Sequence, residues 1–210
     1  GLNSIGIGSG GGVGKVTAEW LMNGHINEDL FIYDIKRFQN FHSDINFITQ
    51  RITETLGDLY GMHWPYKQHK TSRNVITLPY HDELKKHGAC FGVSGGYERP
   101  MWFSKDEKNK DYKYSYNYQN WYPSAEFETK NARTNVGLFE LSPFSKFDLK
   151  GEKVHQELQM LCTANIKDIP GSIKYTQMLN KDGGIEADLT VICIDKNYFR
   201  VVSSAANRER

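Results

Sequence analysis

Most of the usual signals of function are missing from these 210 residues. No apolar run approaches the roughly 18 residues of a membrane span. No charged-then-apolar leader marks a secretory signal. Charge of one sign is missing as well: 26 basic residues face 25 acidic ones, so no broad field draws the chain to nucleic acid or to a membrane. Cysteine is scarce. Cys90, Cys162 and Cys193 are widely spaced, odd in number and never in a C-x-x-C pair. That argues against a zinc site or a disulfide framework, and for buried free thiols in a reducing compartment. The seven histidines contain no H-E-x-x-H, and His81 and His87 fall on different faces of a helix. No internal repeat is evident.

What remains is periodicity, punctuated by glycine. Val13, Val16, Trp20 and Leu21 recur at helical spacing after a short stretch from Leu2 to Ile7, and Gly24 is placed to end that helix. A second helix is expected over residues 44–60, with Ile45, Ile48, Ile52 and Leu56 as its stripe. A third is expected near residues 81–87, followed by Gly88 and a turn at Gly95-Gly96. Residues 104–120 alternate tyrosine at 112, 114, 116 and 118 among charges. Their density of Lys, Asp and Asn predicts a loop, and Asp106, Glu107 and Asp111 argue against base stacking by those rings. The run from Leu138 to Leu149 reads as strand bent at Pro143, and Val154, Leu158 and Leu161 mark one more helix. Two hairpins then follow: residues 175–179 with 185–194, and residues 198–203 after the turn at Asp195-Lys196-Asn197.

Two segments carry candidate chemistry. In the first hairpin, Gly183-Gly184 supplies the turn, and Leu189, Val191 and Cys193 alternate with Thr190, Ile192 and Ile194. Asp188 sits at the mouth of this run. It is either a solvated strand-end charge or a carboxylate aimed at a cationic amine. The second segment, Gly10-Gly11-Gly12-Val13-Gly14-Lys15, looks at first like a phosphate loop. That pattern needs glycine where Ser9 stands and a hydroxyl where Val16 stands, so magnesium would have no ligand. The other reading is a helix N-terminus whose bare amides face an anion or an electron-rich ring.

Residues 1–24, with Gly10–Gly14 and then Glu19-Trp20-Leu21-Met22-Asn23-Gly24, resemble the second flavin-contacting segment of glycine-oxidase-type amine dehydrogenases. Tyr175–Val191 resembles the folate-binding domain of aminomethyltransferases, the T-protein of glycine cleavage. Asp34-Ile35-Lys36-Arg37-Phe38, Gly96–Pro100 and Val136–Phe147 match further blocks in the same order. The whole is similar to the dimethylglycine/sarcosine dehydrogenase family. That resemblance implies an α+β chain in three parts. Residues 1–24 would be the C-terminal end of a FAD-dependent oxidoreductase fold, 25–76 a small central module, and 77–210 the N-terminal part of a T-protein-like folate-binding domain. Such a chain is expected to be a fragment cut at both ends, weak in flavin binding by itself.

The implied activity is oxidation of an N-methyl amine such as dimethylglycine or sarcosine by FAD. Tetrahydrofolate then captures the one-carbon unit, and oxygen or an electron-transfer flavoprotein takes the electrons. No nucleic-acid or membrane partner is implied, and the place is the cytoplasm or, in a eukaryote, the mitochondrial matrix. Gly10, Gly11, Gly12, Val13 and Gly14 would contact the flavin. Asp188 would be catalytic, orienting the folate-side amine or taking its proton. Tyr175 would line the pterin pocket with Phe144 packed against it, Val202 on the neighbouring strand and Ser204 beyond. Ser204 stands where these proteins often carry Asn, and Ala187 where they often carry a second Asp. The alternatives are a non-catalytic relative resembling the regulatory subunit of pyruvate dehydrogenase phosphatase, and a plain folate-dependent aminomethyltransferase.

Overall fold

The computed structural model describes residues 5–26, 30, 34, 37–106 and 109–208. They fall into two compact units, residues 1–38 and 39–210. The first is dominated by helix α1 (Gly6–Asn23), which Gly24 ends at φ 74° with its N–H on the Trp20 carbonyl, the stop that the sequence predicts. The helix start expected at Gly10–Gly14 is absent. The helix starts at Gly6 and runs through every one of these glycines, so Gly6 and Ile7, expected in a short stretch ahead of the helix, are helical too. The physical reason is local. Glycine has no side chain to oppose helical angles, and no residue of α1 is buried. The ladder of hydrogen bonds therefore propagates back from the Val13–Asn23 segment. Residues 1–4, Ile35 and Lys36, which belong to the motifs at either end of this unit, lie outside the described residues.

In the second unit, Asp44 caps helix α2 (Ile45–Asp58) by accepting from the Phe47 N–H at 2.9 Å. Its apolar stripe is present but faces solvent. The helix is held by its polar side. Glu54 accepts from the N–H groups of Lys70 (2.7 Å) and Thr71 (2.9 Å), and Arg51 donates to the Thr71 carbonyl at 2.6 Å. This ties α2 to the strap of residues 69–74. The strap is anchored in turn by a buried ion pair. Arg73 Nε and Nη2 donate to the two carboxylate oxygens of Glu98 at 2.6 and 2.5 Å, and the Asn74 N–H adds a third bond. Burial alone would raise the Glu98 carboxyl; the bonds from Arg73 and Asn74 outweigh it and hold the group below its ordinary range.

Glu98 lies on a small sheet. Strand β1 (Ile76–Thr77) runs parallel to β3 (Tyr97–Phe103), and β3 pairs antiparallel with β2 (Ala89–Ser94) across the predicted Gly95-Gly96 turn. Helix α3 (His81–Lys86) leads into β2 through Gly88, where φ is 86° and a Cβ would collide with the Ser104 carbonyl. The tyrosine segment is a loop, as its composition predicts, but it folds inward at its start. Tyr112 packs edge-on against buried Trp102, and Tyr114 Oη accepts from the Gln68 N–H.

Helix α4 (Tyr122–Thr134) is not anticipated by the hydrophobic pattern, because none of its residues is buried. The strand expected from Leu138 forms only as β4 (Ser145–Lys150). Buried Pro143, which has no N–H for a ladder, precedes it. Helix α5 (Val154–Leu161), β5 (Ile173–Leu179), β6 (Ile185–Asp195) and β7 (Tyr198–Ser203) then appear where the sequence places them. The four strands make an antiparallel sheet of order β4-β7-β6-β5. Leu158, Cys162 and Ile166 pack on Leu189, Val191, Cys193, Phe199 and Val201 as its core. All three cysteines are buried and free. Among the described residues, no helix is long and apolar enough to cross a membrane.

Candidate functional site

Alternation decides which side chains reach the free side of this sheet. Leu189, Val191 and Cys193 point into the core, so Asp188, Thr190 and Ile192 point the other way. Thr190 lies between Tyr175 on β5 and Val202 on β7 in register. Three of the expected folate-side residues, Tyr175, Asp188 and Val202, therefore share one face. Two of them touch: Tyr175 Oη donates to Asp188 Oδ2 at 3.0 Å. That bond is also the main reason the Tyr175 phenol is pushed up. Both side chains are exposed, Tyr175 by 61%. The hairpin that presents them is set by Asn180, whose Oδ1 accepts from the N–H groups of Asp182 and Gly184. A Cβ on Gly184 would press into the Asn180 amide.

Two further residues are placed differently from expectation. Phe144 does not pack directly on Tyr175. It precedes β4, at the opposite edge of the sheet from β5, with β7 and β6 between. Three strand spacings amount to about 14 Å. Ser204 follows β7 and spends its hydroxyl as a cap, accepting from the Ala206 N–H at 3.3 Å. At the flavin side, the amides of Gly10–Gly14 are committed to the α1 ladder, so in this conformation they form no cradle for a flavin ring.

One cluster on the open face escaped the sequence reading. Arg200 donates Nε and Nη2 to the two oxygens of Asp148 at 2.7 and 3.0 Å, and Tyr198 Oη donates to Asp148 at 2.8 Å. The Arg200 guanidinium is the main cause holding the Asp148 carboxyl at about 2. The Lys146/Asp148/Lys150 and Tyr198/Arg200/Val202 alternation was the available signal, but it needs the β4–β7 register to become a contact.

The result is a sheet with one face sealed by a helix and the other offering an aromatic ring beside a carboxylate. That combination suits a flat heterocycle bearing N–H groups, and the residues present fit a pterin in kind. It defines a domain of α+β class. Residues 80–210 match the model of the GCVT N-terminal domain, and residues 23–77 match the FAD dependent oxidoreductase central domain. The chain belongs to the GCVT N-terminal domain family and carries the oxidoreductase central domain before it.

Over its whole length it is 39% identical to 4-methylaminobutanoate oxidase (formaldehyde-forming) of Paenarthrobacter nicotinovorans, covering 26% of that protein. Two mouse mitochondrial proteins are each 32% identical over more than nine-tenths of the chain, which covers 24% of each: the pyruvate dehydrogenase phosphatase regulatory subunit and sarcosine dehydrogenase. The chain thus spans about a quarter of the length of these curated relatives. Aminomethyltransferase T of the Bartonella henselae glycine cleavage system shares the fold, at a TM-score of 0.51 and 23% identity over 64% of this chain and 32% of that one.

Proposed function

We propose that this chain is the junction of a FAD-dependent oxidoreductase that acts on an N-methylated amino acid and hands the one-carbon unit to tetrahydrofolate. The observation that carries the reading is the Tyr175–Asp188 pair on the open face of a T-protein-like sheet, directly downstream of an oxidoreductase central domain. Bound flavin would supply the oxidation, and tetrahydrofolate the nucleophile that takes up the carbon. The chain's own part lies on the folate side. Asp188 holds an amine N–H of the pterin or accepts its proton, Tyr175 orients that carboxylate and gives the ring a flat wall, and Val202 lines the next strand. Residues 1–24, 25–76 and 77–210 divide the work as flavin-side segment, central module and folate domain.

Flavin contact by Gly10–Gly14 requires those residues to unwind, so that in the longer protein the helix begins near Lys15. N-methylglycines are the substrates proposed. One relative acts on 4-methylaminobutanoate and is formaldehyde-forming by name, so release of the carbon to water is the competing outcome. The second reading, a non-catalytic regulatory subunit, is favoured by the mouse relative at 32%. The absorption spectrum of the purified longer protein separates them. An oxidised-flavin spectrum that bleaches with sarcosine or another N-methyl amino acid is expected. No flavin, even after reconstitution, would favour the regulatory reading.

A further inference from the structure

Glu54 and Asp58 sit one turn apart on α2, so their side chains lie on the same face. The strap brings His69 up to them. The three donor atoms lie within 4.8 Å of one another. His69 Nδ1 is 3.6 Å from Asp58 Oδ2 and 3.9 Å from Glu54 Oε1, too far for hydrogen bonds. That nitrogen is closed off from water and has no hydrogen-bond partner among the described residues, although the ring's outer edge is exposed. An orphaned buried nitrogen between two carboxylates calls for something to bridge them.

The remaining valences point the same way. Lys67 occupies Asp58 Oδ1 at 2.5 Å, leaving Oδ2 to face the imidazole. Glu54 Oε2 takes the Thr71 N–H and hydroxyl, whereas Oε1, among the described residues, takes only the Lys70 N–H and keeps a lone pair. The strap is fixed from the other side by Arg73, whose Nη1 donates to the His69 carbonyl at 3.2 Å. The backbone that carries the imidazole is therefore already in place.

We propose that Glu54, Asp58 and His69 bind one divalent transition-metal ion of the zinc type. Ligands at about 2.0–2.2 Å in tetrahedral array stand roughly 3.4 Å apart, so His69 Nδ1 is a few tenths of an ångström too far from each carboxylate, and the two carboxylate oxygens, within 4.8 Å of each other, draw together by side-chain rotation. One imidazole with two carboxylates selects a borderline ion over calcium or magnesium, whose ligands are all oxygen. Solvent completes the shell. The ion would clamp α2 to the strap, neutralising two carboxylates beside an imidazole that must be unprotonated to bind. This site is independent of the folate-face reading.

Cobalt(II), titrated into the metal-free 210-residue chain, is the probe. The expected result is one equivalent bound, with visible ligand-field bands that one equivalent of zinc abolishes. Asp58→Asn and His69→Gln should each weaken binding at least about tenfold, whereas His87→Gln, which alters the separate His87–Glu83 pair, leaves it unchanged. Glu54 is spared because it also holds the strap, and unchanged far-ultraviolet circular dichroism would show that both variants fold. Absence of the bands, or bands that survive both variants, would overturn the proposal.

Discussion

At the residue scale, the folate-side reading rests on a hydrogen bond that sequence could suggest only as two nearby letters. Tyr175 and Asp188 are thirteen apart in the chain, and the hairpin makes them neighbours. Period-two alternation made the face of Asp188 legible. The Asp148–Arg200 pair was not legible, because its members are 52 residues apart and meet only through strand register. Arg73 and Glu98 were not legible either, because the strap that carries Arg73 has no periodicity to place it against β3. Two outcomes follow. Tyr175→Phe in the longer protein removes the exposed charge-assisted bond to Asp188. Folate-dependent capture should weaken roughly fivefold in a coupled product assay, with flavin reduction unchanged. Glu98→Ala leaves Arg73 charged and poorly partnered beneath the strap, and should destabilise the second unit by about 3 kcal/mol, read from the urea midpoint.

At the element scale, helix ends and hairpins were the legible part. Asp44, Gly24, Gly88 and Gly95-Gly96 each mark a boundary that the structure keeps. Helix α4 was illegible because no buried stripe marks it, and the glycine run misled because helical φ/ψ is as open to glycine as a turn is. Nothing lies within 4 Å of a Cβ built on Gly11 or Gly12, so neither glycine is demanded by packing in α1. The double substitution Gly11→Ala, Gly12→Ala should stabilise α1 by about 0.5–1 kcal/mol per site, seen as increased helical circular dichroism. If these glycines serve the flavin, the same change should abolish flavin retention in the longer protein. The α2–strap contact carries an acid dependence. Desolvation opposes ionisation of Glu54, yet the bonds from Thr71 and Lys70 lower its carboxyl from 4.5 to about 2. A depressed folded-state value means stability that is present above the unfolded value and lost as the pH falls through the folded one. Thermal midpoints should therefore drop between about pH 4.5 and 2, and Glu54→Gln should flatten that drop.

At the scale of the whole molecule, the proposed function joins two cofactor-handling parts in one polypeptide, with this chain as the join. The folate-side face is built from its own strands, whereas Gly10–Gly14 form no flavin cradle in the described conformation. The 210-residue chain should therefore not retain flavin through dialysis, and a stoichiometric yellow complex would contradict that. The deciding measurement follows a ¹³C-methyl-labelled N-methyl amino acid through the longer protein with tetrahydrofolate present, comparing wild type with Asp188→Ala. The account predicts flavin bleaching at an unchanged rate in both, with label in methylene-tetrahydrofolate for the wild type and in free formaldehyde for the variant. Bleaching that collapses in the variant, or a label distribution indifferent to residue 188, would contradict it.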